Sequence, residues 1–144
     1  MLYGRYGDTS GRPYIEGRLL LPRLQVIGDI SFCIDTDADR TMLMPIDAVN
    51  LGVDHSTLTG DEPTYGISGL MRTFLEPAVL LFTESAKNIY AYFLDLLIAP
   101  LSPDLPGFSL LGRDVINQWR MDYNPAKDRL GIRVVSATVI VPLS

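Results

Sequence analysis

Phe32-Cys33-Ile34-Asp35-Thr36-Asp37-Ala38-Asp39 is the stretch on which the reading of this chain turns. An apolar, strand-like run delivers Asp35-Thr36 at its end, followed by Ala38, with acids at 37 and 39. The alternation of Ile30, Phe32 and Ile34 with Ser31, Cys33 and Asp35 has the period of two expected of a strand. It sends Asp35 to the less apolar face. Taken alone, acids at a strand end describe an ordinary polar loop. Downstream, Ser109-Leu110-Leu111-Gly112-Arg113-Asp114-Val115-Ile116 forms a second local unit, in which an apolar run reaches Gly112 and a short helix begins.

The surrounding chain bounds what these units serve. Its 144 residues suffice for one domain with a single core. Apolar residues make up 47% and charged ones 20%, as in compact globular proteins. With 12 basic against 17 acidic residues and no basic face, no nucleic-acid partner is expected. The single cysteine, Cys33, excludes an intrachain disulfide and reads as a small buried hydrophobe. That usage fits a reducing, cytoplasmic setting. The only histidine, His55, lies in a polar, turn-like stretch that offers Cys33 no evident base. The longest apolar run, 89–101, contains Asp95 and is short of the roughly 20 residues that span a bilayer, so no membrane association is expected.

Residues 1–13, rich in Gly, Tyr and Arg, read as a possible flexible arm, and 14–144 as one domain. Strands are expected from Tyr14 and from Leu24 onward, with a hairpin turn at Gly28-Asp29. Thr41-Met42-Leu43-Met44 reads as a short strand, and 46–52 as one or two helical turns closed by Gly52. A mobile hairpin is expected at Tyr65-Gly66-Ile67-Ser68-Gly69, and strands over 70–82 and 88–101; apolar spacing alone also allows a helix over 88–101, but its Tyr and Ile content and the flanking prolines favour a strand. Residues 112–119 read as a helix, with Val115, Ile116 and Trp119 on one side. Residues 124–128 read as a hairpin turn and 134–141 as a β-branched strand. Many short strands with one late helix make the chain mainly β.

The spacing Asp35-x-Asp37-x-Asp39 also raises a calcium loop. An EF-hand requires Gly at its sixth position and Glu at its twelfth, where this chain has Arg40 and Ile46. No metal or other cofactor is expected.

Ile34-Asp35-Thr36, together with Leu110-Leu111-Gly112-Arg113-Asp114, resembles the retropepsin-like aspartic proteases, in particular cellular and bacterial members. The likeness runs roughly from Tyr14 to Ile132, with the elements in family order. It implies a closed β-barrel of the acid-protease fold with one short C-terminal helix. Asp35 and Thr36 are then catalytic, and Asp37 and Ala38 belong to the active-site loop. Tyr65, Gly66, Ile67, Ser68 and Gly69 form a flap over substrate, while Gly112, Arg113 and Asp114 give structural support. One Asp-Thr loop per chain implies a homodimer with Asp35 from each subunit, acting on a peptide or protein substrate. The family has glycine where this chain has Asp37. That departure keeps a second reading open, a catalytically inactive dimer or peptide-binding module of the same fold silenced by Asp37. An unrelated β-barrel with a chance Asp-Thr is a third. Asp8-Thr9-Ser10-Gly11 resembles the first motif superficially but lacks an apolar strand before it.

Overall fold

A computed structural model describes residues 1–7, 10–60, 62–66 and 69–143. In chain order it contains β1 (Leu2–Tyr3), β2 (Arg5–Tyr6), β3 (Pro13–Leu21), β4 (Val26–Ile34) and β5 (Met42–Leu43). Helix α1 (Pro45–Leu51) follows, then β6 (Glu62–Gly66), β7 (Gly69–Glu84), β8 (Asn88–Ile98) and β9 (Ser109–Leu111). Helix α2 (Arg113–Ile116), β10 (Trp119–Asn124), β11 (Arg129–Val134) and β12 (Val139–Pro142) complete the chain.

The sheet closes on itself. Strand order runs β8-β5-β9-β4-β3-β7, and β7 pairs again with β8 from Phe74↔Ile98 to Glu84↔Asn88. Closure leaves no open edge in the ring. The chain is thus mainly β with a barrel, as the sequence implied. Leu19, Leu21, Phe32, Leu43, Leu80, Leu96, Ile98 and Leu111 are fully or almost fully enclosed inside it. At one end Phe82, Tyr92 and Trp119 meet edge to face, with ring centroids 5.1–6.2 Å apart. The Trp119 indole N–H donates to the Tyr92 hydroxyl at 2.7 Å, which satisfies the polar handle that a buried Trp carries.

Several expectations shift. Gly28-Asp29 is not a turn: β4 runs straight through it, paired with β3 from Tyr14↔Cys33 to Leu21↔Val26. The chain reverses instead at Pro22–Leu24, where Pro22 opens a 3-10 turn and Gln25 closes it at φ 55°. Gly28 stands where a Cβ would lie 2.2 Å from Leu51 Cδ2, so its absent side chain admits α1 rather than making a bend. The helix expected over 112–119 shortens to α2, because Trp119 already belongs to β10, paired with Val134. The expected strand 134–141 divides between the end of β11 and β12, with 135–138 linking them. Residues 2–6, within the stretch read as an arm, form β1 on β11 and β2 on β3, and Leu2 is buried.

Candidate active site

Asp35 stands one residue past the end of β4, beside β9. β4 and β9 run parallel, Phe32↔Ser109 to Ile34↔Leu111, and the Asp35 N–H continues the ladder by donating to the Leu111 carbonyl at 3.0 Å. That parallel pairing brings together the two sequence motifs. Beyond it the loop turns tightly, with Ala38 N–H donating to the Asp35 carbonyl at 3.2 Å. The Asp37 N–H donates to Asp35 Oδ1 at 3.0 Å, fixing the carboxylate. Asp37 has no left-handed φ, so an L-residue meets no backbone strain there. Asp35 is half-buried, whereas Thr36 and Asp37 are exposed.

Helix α2 holds this loop from behind. The Arg113 N–H donates to the Ala38 carbonyl at 2.8 Å, and the Asp114 N–H to the Asp39 carbonyl at 3.2 Å. The Arg113 guanidinium pairs with the Asp39 carboxylate. The Asp114 carboxylate accepts from the Thr41 N–H, at 3.1 and 3.0 Å to its two oxygens, and from Thr41 Oγ1 at 2.8 Å. Thr41 is fully buried, and its hydroxyl in turn accepts from the Gly112 N–H at 3.1 Å. A Cβ at Gly112 would lie 2.4 Å from the Arg40 carbonyl carbon, so only glycine lets the two backbones approach this closely.

The loop floors a cleft of about 750 Å³. Asp35, Asp37 and Ala38 line it, together with an apolar wall that includes Met42, Met44, Leu97 and Leu110. Across it stands the β6–β7 hairpin, paired from Glu62↔Thr73 to Gly66↔Gly69 and contributing Glu62, Pro63, Thr64 and Met71 to the lining. Tyr65 and Gly66 lie in β6 and Gly69 opens β7 at φ 91°, while Ile67 and Ser68 lie outside the described residues. The Cys33 thiol also lines the cleft. Burial pushes its pKa up, the nearby Asp35 charge pushes the same way, and Arg12 opposes them.

Arg12, Phe108 and Glu62 line the cleft without having been singled out in the sequence. Arg12 sits in the stretch that reads as an arm, Phe108 in a Pro/Gly loop and Glu62 at a hairpin base. No periodicity marks any of them. Among the described residues no group of three or more His, Cys, Asp or Glu is placed to hold an ion.

No protein-family model matches the chain, and no curated protein does. Solved structures do. A retropepsin-like aspartic protease from Rickettsia conorii superposes with a TM-score of 0.61 at 18% identity, over 99% of this chain and 89% of that one. EIAV protease complexed with the inhibitor HBY-793 superposes with a TM-score of 0.51, also at 18% identity, over 77% of this chain and 90% of that one. With its closed barrel, this chain has the fold of the retropepsin-like aspartic proteases.

Proposed function

We propose that the protein is an aspartic endopeptidase that works as a two-fold homodimer, each subunit contributing Asp35. The observation that carries the reading is the placement of Asp35: a half-buried carboxylate, oriented by a backbone N–H, on the floor of a cleft large enough for several side chains of an extended peptide. One such carboxylate cannot both take a proton from water and give one to a carbonyl oxygen. Two across a symmetry axis can, because adjacent like charges share a single proton and titrate as a pair. The ionised Asp35 then draws a proton from the attacking water while its protonated counterpart polarises the scissile carbonyl. Thr36, exposed beside it, would brace the two loops, and the β6–β7 hairpin, with Tyr65, Gly66 and Gly69, would close over the substrate as a flap. The single cysteine, its thiol buried, suits a cytoplasmic protein. Among the described residues no helix is long and apolar enough to cross a membrane.

The second reading is a catalytically inactive dimer or peptide-binding module. It draws on the exposed Asp37 carboxylate, which a dimer brings to its axis twice over, beside the Asp35 pair. Cleavage of a diverse peptide mixture from acidic to neutral pH, read by mass spectrometry, separates the two. Cleavage that vanishes in Asp35→Asn establishes the protease. Cleavage by Asp37→Gly alone assigns the parent chain to the inactive class.

A further inference from the structure

Where β3 ends, the outside of the barrel opens into a groove of about 400 Å³ that shares no residue with the cleft. β3 pairs with β7 as far as Leu20↔Val79 and turns away at Pro22, while β7 and β8 run on together past Pro77↔Asp95. β7 has no β3 partner at Pro77, which is where a strand tolerates proline. The lining of the groove includes Pro22, Pro77, Val79, Phe93, Leu94 and Asp95. An apolar row leads into it across the outer face of four strands, Ile27–Leu20–Val79–Phe93, each directly opposite the next. Ile27 is 55% exposed and Phe93 58%. One step along the strands, Arg18 and Asp29 pair with each other at 3.0 Å and bound the stripe on that side. Apolar side chains in register on neighbouring strands and open to water form a contiguous patch of the kind that marks contact sites.

Charge decides what the groove receives. Asp95 stands two residues from Phe93 on the same face of β8 and is exposed. Among the described residues no cation or hydrogen-bond donor reaches its carboxylate. Arg23, on the turn that forms the opposite wall, is already engaged. Its Nε donates to both oxygens of the fully buried Glu76, at 3.1 and 3.0 Å, and its Nη2 donates to Glu76 and to the Thr57 carbonyl. A bare carboxylate therefore sits at the rim of an apolar groove, beside an aromatic ring open to solvent. A guanidinium or ammonium group satisfies both, by an ion pair with the one and a cation–π contact with the other, while its alkyl stem lies on apolar surface.

We propose that this groove docks a partner protein through a segment that presents an Arg or Lys beside an apolar side chain. The cation sits between Phe93 and Asp95, and the apolar neighbour packs on Pro22, Pro77 and Val79. The chain's net charge of −5 draws such a basic segment in from a distance. Because the groove lies apart from the cleft, the inference holds whether or not the cleft cleaves.

The test uses binding, so that it does not depend on turnover. Random decapeptides displayed on phage are selected on the full-length Asp35→Asn protein. The recovered sequences are made with a fluorescein label and titrated by anisotropy into that protein and into versions that also carry Asp95→Asn or Phe93→Ser. They should share an Arg or Lys next to an apolar residue. Their affinity should fall about tenfold with Asp95→Asn, the size of one charge-assisted pair partly open to water, and severalfold with Phe93→Ser. Replacing the shared Arg or Lys by norleucine should cost the same tenfold against the parent surface and nothing further against Asp95→Asn, as expected of two groups that act on each other. Recovery of no sequence that responds to both substitutions overturns the proposal. So does a Phe93→Ser protein that loses, in sedimentation, an oligomer formed by the parent chain, because the groove then receives a second copy of this chain.

Discussion

The Asp37 backbone N–H donates to Asp35 Oδ1 at 3.0 Å, and it does so from a backbone conformation open to any L-residue. The position thus supplies a donor, and a side chain there does not disturb the donor. Asp37→Ala should therefore unfold within about 0.5 kcal/mol of the parent, as exposed substitutions do. Asp37→Gly should be less stable than Asp37→Ala by about 0.4–1 kcal/mol, because glycine adds freedom only to the unfolded chain. Thermal unfolding of the three proteins gives the order. A glycine variant more stable than the alanine one would mean that the loop strains its residue 37.

Asp114 does more for the site than its charge suggests. Its carboxylate is the acceptor for both the N–H and the hydroxyl of Thr41, a residue with no exposed surface. Asp114→Ala leaves both donors buried without their partner and should cost about 2–3 kcal/mol in urea unfolding. Asp114→Asn keeps one oxygen acceptor and should cost less. Equal losses in the two variants would show that the hydrogen bonds are not what Asp114 contributes.

Gly112 and Gly28 make a paired test of close approach. A Cβ at Gly112 meets the Arg40 backbone at 2.4 Å, which cannot yield without moving the Asp35 loop. At Gly28 the obstacle is the tip of Leu51, 2.2 Å away, which can rotate aside. Gly112→Ala should cost about 3 kcal/mol and Gly28→Ala about 1, the upper and lower ends of overpacking losses. Chemical denaturation checks the ranking, and a reversed order would place the rigid contact at α1 instead.

The two motifs were legible in the sequence because their cues are local: an alternating run ending in Asp35, and an apolar run ending in a glycine. Their meeting is not local. It depends on the parallel pairing of β4 with β9 and on closure of the ring by β7 and β8, pairings between distant segments that no short-range periodicity encodes. Where local cues misled, a tertiary cause is visible. Gly28-Asp29 has turn composition, yet the glycine is there to admit Leu51, and Pro22 with Gln25 makes the reversal. Val115, Ile116 and Trp119 fit one helix face, but the same spacing arises when a one-turn helix is followed by a strand whose first residue enters the core. Arg12 was hidden for another reason: it lines the cleft with its guanidinium over the ring of Phe108, a residue far away in sequence.

Cys33 offers a readout of the cleft that needs no substrate. Its thiol is buried, and burial, with the Asp35 charge second, holds its pKa above the ordinary 9.0, so the reactive thiolate appears only in alkaline solution. The sign follows from the direction of the shift. A thiol whose folded pKa lies above its unfolded value contributes stability below pH 9, and that contribution is lost as the pH rises through the folded value. Alkylation by iodoacetamide, followed by mass spectrometry against pH, should accordingly begin above the range of a free cysteine. Asp35→Asn removes a negative neighbour and should move that onset down; Arg12→Gln removes the opposing positive charge and should move it up. An onset that ignores both substitutions would mean that Asp35 and Arg12 do not share the electrostatics of the cleft floor, and the arrangement of charges around the candidate active site would have to be redrawn.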